Sequence, residues 1–87
     1  MNKIAKEFAK NLKNQRVKHE ISQHNLSLLC GFDKNYIGLL ERAQKRVTLE
    51  KVYVIAAALG CSVADLFPKE SPNHIQDMIK LEEPTAR

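Results

Sequence analysis

Nowhere does this 87-residue chain hold the roughly 18–20 consecutive apolar residues that a membrane-spanning helix needs. Residues 1–11 are basic with no apolar stretch behind them, so no signal peptide is expected. Both absences point to the cytosol. Cysteine is scarce. Cys30 and Cys61 lie far apart and match no metal-ligand spacing, and in a cytosolic protein they are expected as buried free thiols. His19, His24 and His74 are scattered among polar neighbours and read as surface residues. There is no carboxylate pair, activated nucleophile or Gly-rich phosphate loop. The sequence therefore offers no catalytic constellation, and neither a cofactor nor a small-molecule ligand is expected. Internal repeats, low-complexity tracts and convincing strands are missing as well.

What is present suits one small helical domain. Apolar residues make up 44% of the chain, enough for a modest core that oligomerisation would help to stabilise. Charge is uneven. Residues 1–67 hold 11 Lys/Arg and 6 Asp/Glu, whereas residues 68–87 hold 3 and 4, giving the net +4. A basic body with a faintly acidic tail suggests a polyanion partner.

Five helical segments are predicted. The first covers about Lys3–Lys18, with Ile4, Phe8 and Leu12 on one face and lysines elsewhere. The second starts at Ser22, whose hydroxyl can accept from free first-turn N–H groups. Its expected buried stripe is Leu26, Leu29 and Cys30, and Gly31 ends it. The third follows after Phe32, with Asp33 as N-cap, so residues 31–33 form a tight turn between two short helices. The fourth runs from the N-cap Thr48 to Leu59, with Leu49, Val52, Ile55, Ala56 and Leu59 at helical spacing. The fifth, residues 62–67, opens on a Ser62/Asp65 capping box and stops at Pro68. In the tail, Ser71 and Pro72 could begin a short helix over residues 71–81, with Ile75, Met78 and Ile79 on one face.

The third segment, "DKNYIGLLERAQKRVT", is unusual. Ile37, Leu40 and Glu41 face inward on a helical wheel, while Asn35, Leu39 and Arg42 point outward. Gly38 sits in mid-helix, where it costs about 1 kcal/mol relative to Ala. A helix that gives up stability and exposes a leucine is expected to lie against a large partner.

With the helix order in hand, the chain resembles the lambda-repressor-like, or Cro/C1-type, helix-turn-helix family, nearly continuously over residues 8–67. The strongest pieces are "ISQHNLSLLCGFDKNYIGLLER" and "TLEKVYVIAAALGCSVADLF". Within the family, "DKNYIGLLERAQKRVT" looks most like controller proteins of restriction-modification systems. The resemblance implies an all-α, compact five-helix DNA-binding domain over residues 1–67 and a short extension over 68–87. There are departures: Ala43 and Gln44 stand where Gly or Asn is usual, Glu20 replaces a common Gly, and Gln15 takes a usually apolar position. A positive φ at Ala43 would be strained by roughly 1 kcal/mol.

In such a motif the second helix lies in the major groove. Lys34 and Asn35 are then expected to meet base edges, Leu39 a thymine methyl, and Gly38 to allow close approach. Ser22, Gln23, Tyr36, Arg42, Gln44, Lys45 and Arg46 are the expected phosphate-binding set. Arg16 and Glu41 are expected to form a structural ion pair. A C2 homodimer through Val63, Leu66 and Phe67, extended by Ile75, Met78 and Ile79, would read two half-sites of double-stranded DNA about one helical turn apart. The resemblance to controllers implies activation at low protein level and repression at high level. Alternatives within reach of the same motif are a phage-type repressor and a helix-turn-helix antitoxin or other protein-interaction module.

Overall fold

The spacing of Phe8, Ala9 and Leu12 puts three small-to-large apolar groups on one side of α1 (Lys3–Lys18), and all three are buried. That face packs on α3 (Tyr36–Glu41) and on a terminal 3-10 turn (Val63–Leu66), while α2 (Gln23–Leu29) packs on α3 and α4 (Leu49–Leu59). The computed structural model describes residues 3–69, and within them every element is helical. The expected fifth helix is a single 3-10 turn, closed by the Ser62/Asp65 capping box in both directions. The short helix expected over residues 71–81 lies outside the described residues. Leu12, Leu26, Ile37, Leu40, Val52, Ile55, Leu59 and Leu66 form one core.

The turn between α2 and α3 is built from polar groups. Gly31 takes φ 77°, where a side chain would be strained. Asp33 is not the N-cap that the sequence suggested: the helix starts later, the cap position falls on Asn35, and Asp33 closes the turn before it, its carboxylate accepting from the Asn35 N–H at 2.9 Å and its carbonyl from the Tyr36 N–H at 3.0 Å. Asn35, the residue directly before the helix, makes no side-chain cap bond. The Ile37 N–H is satisfied by Ser27 Oγ at 3.1 Å, and Ser27 is fully buried. This corrects the expected stripe of α2. Leu29 is 62% exposed, and the buried arc is Leu26 and Ser27 with Cys30 half-buried. The hydroxyl is drawn inward because a buried N–H without a partner costs about 1–3 kcal/mol.

Four helix ends use the same left-handed device. Gly31 and Gly60 adopt it cheaply, but so do Glu20 (φ 56°) and Ala43 (φ 55°). After α3, Ala43 N–H donates to the Leu40 carbonyl and Gln44 N–H to the Leu39 carbonyl, so both free carbonyls are paired. The two positions where the sequence departs from Gly therefore keep the glycine-type backbone and carry its strain.

Two further expectations are revised. Leu49 is 69% exposed, because it directly follows the cap Thr48 and turns away from the core. Cys30 and Cys61 are free but only half-buried, and desolvation raises both thiol pKa values, with the Asp65 carboxylate adding to the rise at Cys61.

Candidate nucleic-acid interface

The outward face of α3 meets the start of α2 in a shallow depression of about 160 Å³ lined by Gln23, His24, Lys34, Asn35, Gly38 and Arg42. Five of these were expected on the interface. His24 was missed, although its place one residue after Gln23 in the first turn of α2 was the available signal.

A polar network sets this face. Glu41, whose side chain is 3% exposed, accepts from Arg16 Nε at 2.5 Å and from Arg16 Nη2 at 3.1 Å. The Arg16 guanidinium also donates to the Ile21 carbonyl at 2.9 Å, tying the α1–α2 junction to α3. Gln23 Nε2 donates to Glu41 Oε1 at 2.8 Å. The Gln23 amide thereby crosses α3 directly above Gly38. A Cβ built at Gly38 would stand 3.0 Å from Gln23 Oε1 and 3.4 Å from Arg42 Nη1. The missing side chain thus makes room inside the protein for Gln23, where the sequence suggested room for DNA.

Tyr36 is also reassigned. It is 7% exposed, and its hydroxyl donates to the Arg46 carbonyl at 3.2 Å. Burial raises its pKa, which keeps that proton in place. Its ring meets Phe32 edge-on at 5.0 Å, and Lys51 Nζ caps both rings, 4.6 Å from the Tyr36 centroid. Tyr36 therefore holds the basic loop after α3 instead of reaching outward. Arg42 Nε donates to Gln44 Oε1 at 3.2 Å, and Arg42, Gln44, Lys45 and Arg46 are all exposed. Ser22 Oγ accepts from Asn25 N–H at 3.0 Å as the α2 cap. Leu39 is half-buried and lies outside the depression. Lys51 had no expected role, and its cation–π contacts have no sequence signature.

A helix-turn-helix family profile matches residues 12–66, from the middle of α1 to the end of the 3-10 turn. The chain belongs to this helix-turn-helix family. The Cro/C1-type resemblance of the sequence is thereby borne out. The control protein C.SmaI of Serratia marcescens is 33% identical over 63 residues, covering 72% of this chain and 75% of that protein. The restriction-modification controller protein C.AhdI from Aeromonas hydrophila has a similar structure, with TM-score 0.70 and 33% identity over 72% of this chain and 96% of its own. A hypothetical transcription factor from Neisseria meningitidis is 34% identical over 59 residues, 68% of this chain and 56% of that protein. In helix-turn-helix terms, α2 and α3 are the motif, and the depression lies between the start of α2 and the residues that flank α3, with Gly38 at its floor.

The seam expected on the last turn needs correcting. Leu66 is fully buried in its own core, and Val63 packs against that core. Phe67 is 37% exposed and tilts on Phe8, with ring centroids 6.3 Å apart. Leu66 faces inward because the 3-10 turn closes the bundle beneath α1 and α4. The larger apolar surface is on α4, where Leu49, Tyr53 and Val54 are 69%, 62% and 40% exposed.

Proposed function

We propose that the protein is a sequence-specific DNA-binding transcriptional regulator that acts as a homodimer on an inverted-repeat operator, as a controller of restriction-modification genes. The carrying observation is that Lys34 and Asn35, just before α3, and Arg42, just after it, are exposed and share one depression with Gln23. Asn35 can pair with adenine N6 and N7, and Lys34 with guanine O6 or N7. Leu39, at the margin, offers an apolar edge to a thymine methyl. Gln23, Arg42, Gln44, Lys45 and Arg46 take phosphates and fix the register. The likeness to C.SmaI and C.AhdI supports the controller reading.

One domain of this size covers too little DNA for tight specific binding, so a second copy is required. The exposed apolar face of α4, Leu49 with Tyr53 and Val54, is the best-supported seam, because such a face on a monomer stays in contact with water. A homodimer seated on this face carries two copies of α3, one for each half-site.

The test is selection of bound duplexes from random DNA, followed by titration at several salt concentrations. An inverted repeat should be enriched. Asn35→Ala should weaken the operator and leave random DNA unchanged. Lys45→Ala should weaken both alike and reduce the salt slope by about one unit. Equal operator-to-random ratios for the two variants would remove α3 as the reading element.

A further inference from the structure

An apolar groove of about 210 Å³ lies between the start of α1, the loop after α3 and the last described turn. Ile4, Phe8, Leu40, Val47 and Phe67 line it, and Lys45 and Arg46 stand at it too. We propose that this groove is the seat of the chain's own C-terminal segment, residues 75–83, and that the seated segment sets its acidic groups against Lys45 and Arg46 in competition with DNA phosphates.

Three observations carry this. The chain leaves the domain from the wall of the groove. Asn11 Nδ2 donates to the carbonyls of Leu66 at 3.3 Å and Phe67 at 3.1 Å, which pins the exit, and Phe67 itself lies on Phe8. The eight steps from Phe67 to Ile75 span at most about 29 Å, more than enough to turn back. The segment also matches in pattern. Ile75, Met78 and Ile79 recur at helical spacing, and residues 70–87 hold four acidic groups (Glu70, Asp77, Glu82, Glu83) against two basic ones (Lys80, Arg87). Finally, the neighbouring groove is a poor rival. It is lined by Glu7 and Asp65 besides Asn11, Gln15 and Lys69, so it would repel an acidic segment.

The DNA part of this proposal rests on the reading above, whereas the seating does not, and the experiment separates them. In the full chain, Ile75→Asp/Ile79→Asp should shift the methyl resonances of Ile4, Leu40 and Val47 while those of Leu12 and Ile55 stay put. The shift should be the same over a hundredfold range of protein concentration. Unmoved groove methyls would overturn the seating whether or not the protein binds DNA. A shift that depends on concentration would give the groove to a second copy and overturn it equally. In the second arm, Glu82→Gln/Glu83→Gln should tighten binding to a random duplex by about threefold to tenfold at low salt, fading at high salt. Unchanged affinity at low salt would overturn the competition. Failure of the unaltered protein to bind any duplex would overturn the DNA-binding reading and leave the methyl result standing.

Discussion

Removal of Glu41 should be among the most damaging single changes in this domain. Its carboxylate is 3% exposed and accepts three hydrogen bonds, two from Arg16 and one from Gln23. Glu41→Ala leaves the Arg16 guanidinium, itself 12% exposed, with only the Ile21 carbonyl among the bonds it now makes. Breaking a buried pair on one side costs about 3–5 kcal/mol. A domain of this size has a total stability of about 5–10 kcal/mol, so the variant should be close to unfolding. Each kcal/mol corresponds to about 4–8 °C in a small domain, so Tm should fall by at least about 12 °C. Arg16→Ala should lose a similar amount, because it strands the carboxylate. Arg16→Ala/Glu41→Ala removes both charges, so it should lose less than the two single changes added together, with a coupling of about 2 kcal/mol or more. Urea titration and calorimetry on the four proteins give the cycle. Losses below about 1 kcal/mol for each single variant, with an additive double variant, would refute the reasoning. The pair would then behave as a solvated surface pair.

Ala43→Gly should raise stability by about 0.5 kcal/mol, because relief of roughly 1–2 kcal/mol of left-handed strain exceeds the added freedom of the unfolded chain. Glu20→Gly should act the same way, and a lowered urea midpoint for both would contradict the strain argument. Gly38→Ala should weaken DNA binding and change Tm little, because its Cβ displaces Gln23 from Glu41 and the lost bond offsets the helix-propensity gain of about 1 kcal/mol. Wild-type affinity in that variant would show that the placement of Gln23 is dispensable. Tyr53→Asp should shift the protein toward monomer in sedimentation at micromolar concentration with the fold kept, and an unchanged dimer would move the seam off α4. Ser27→Ala should cost about 1–3 kcal/mol in urea unfolding by leaving the Ile37 N–H unpaired, and a smaller loss would mean that another group satisfies it.

Much of this protein was determined by local rules that the sequence carries openly. The caps Ser22, Thr48 and Ser62, the left-handed Gly31 and Gly60, and the spacing of Phe8 and Leu12 act within one or two turns, so they set the number and order of the helices. The inward turn of Ile37, Leu40 and Glu41 followed from the helical period alone. Where the sequence misled, the deciding partner was distant in the chain. Ser27 rather than Leu29 is buried because α3, ten residues on, lacks a capping side chain for the Ile37 N–H. Tyr36 turns inward because the Arg46 carbonyl and the Lys51 ammonium meet it there. Gly38 is buried beneath Gln23, which passes over it to reach Glu41. Leu66 fills the core because the closing turn is pinned by Asn11 across the bundle. Periodicity reports which side of a helix is apolar, but the identity of the group waiting on that side is a property of the packed chain.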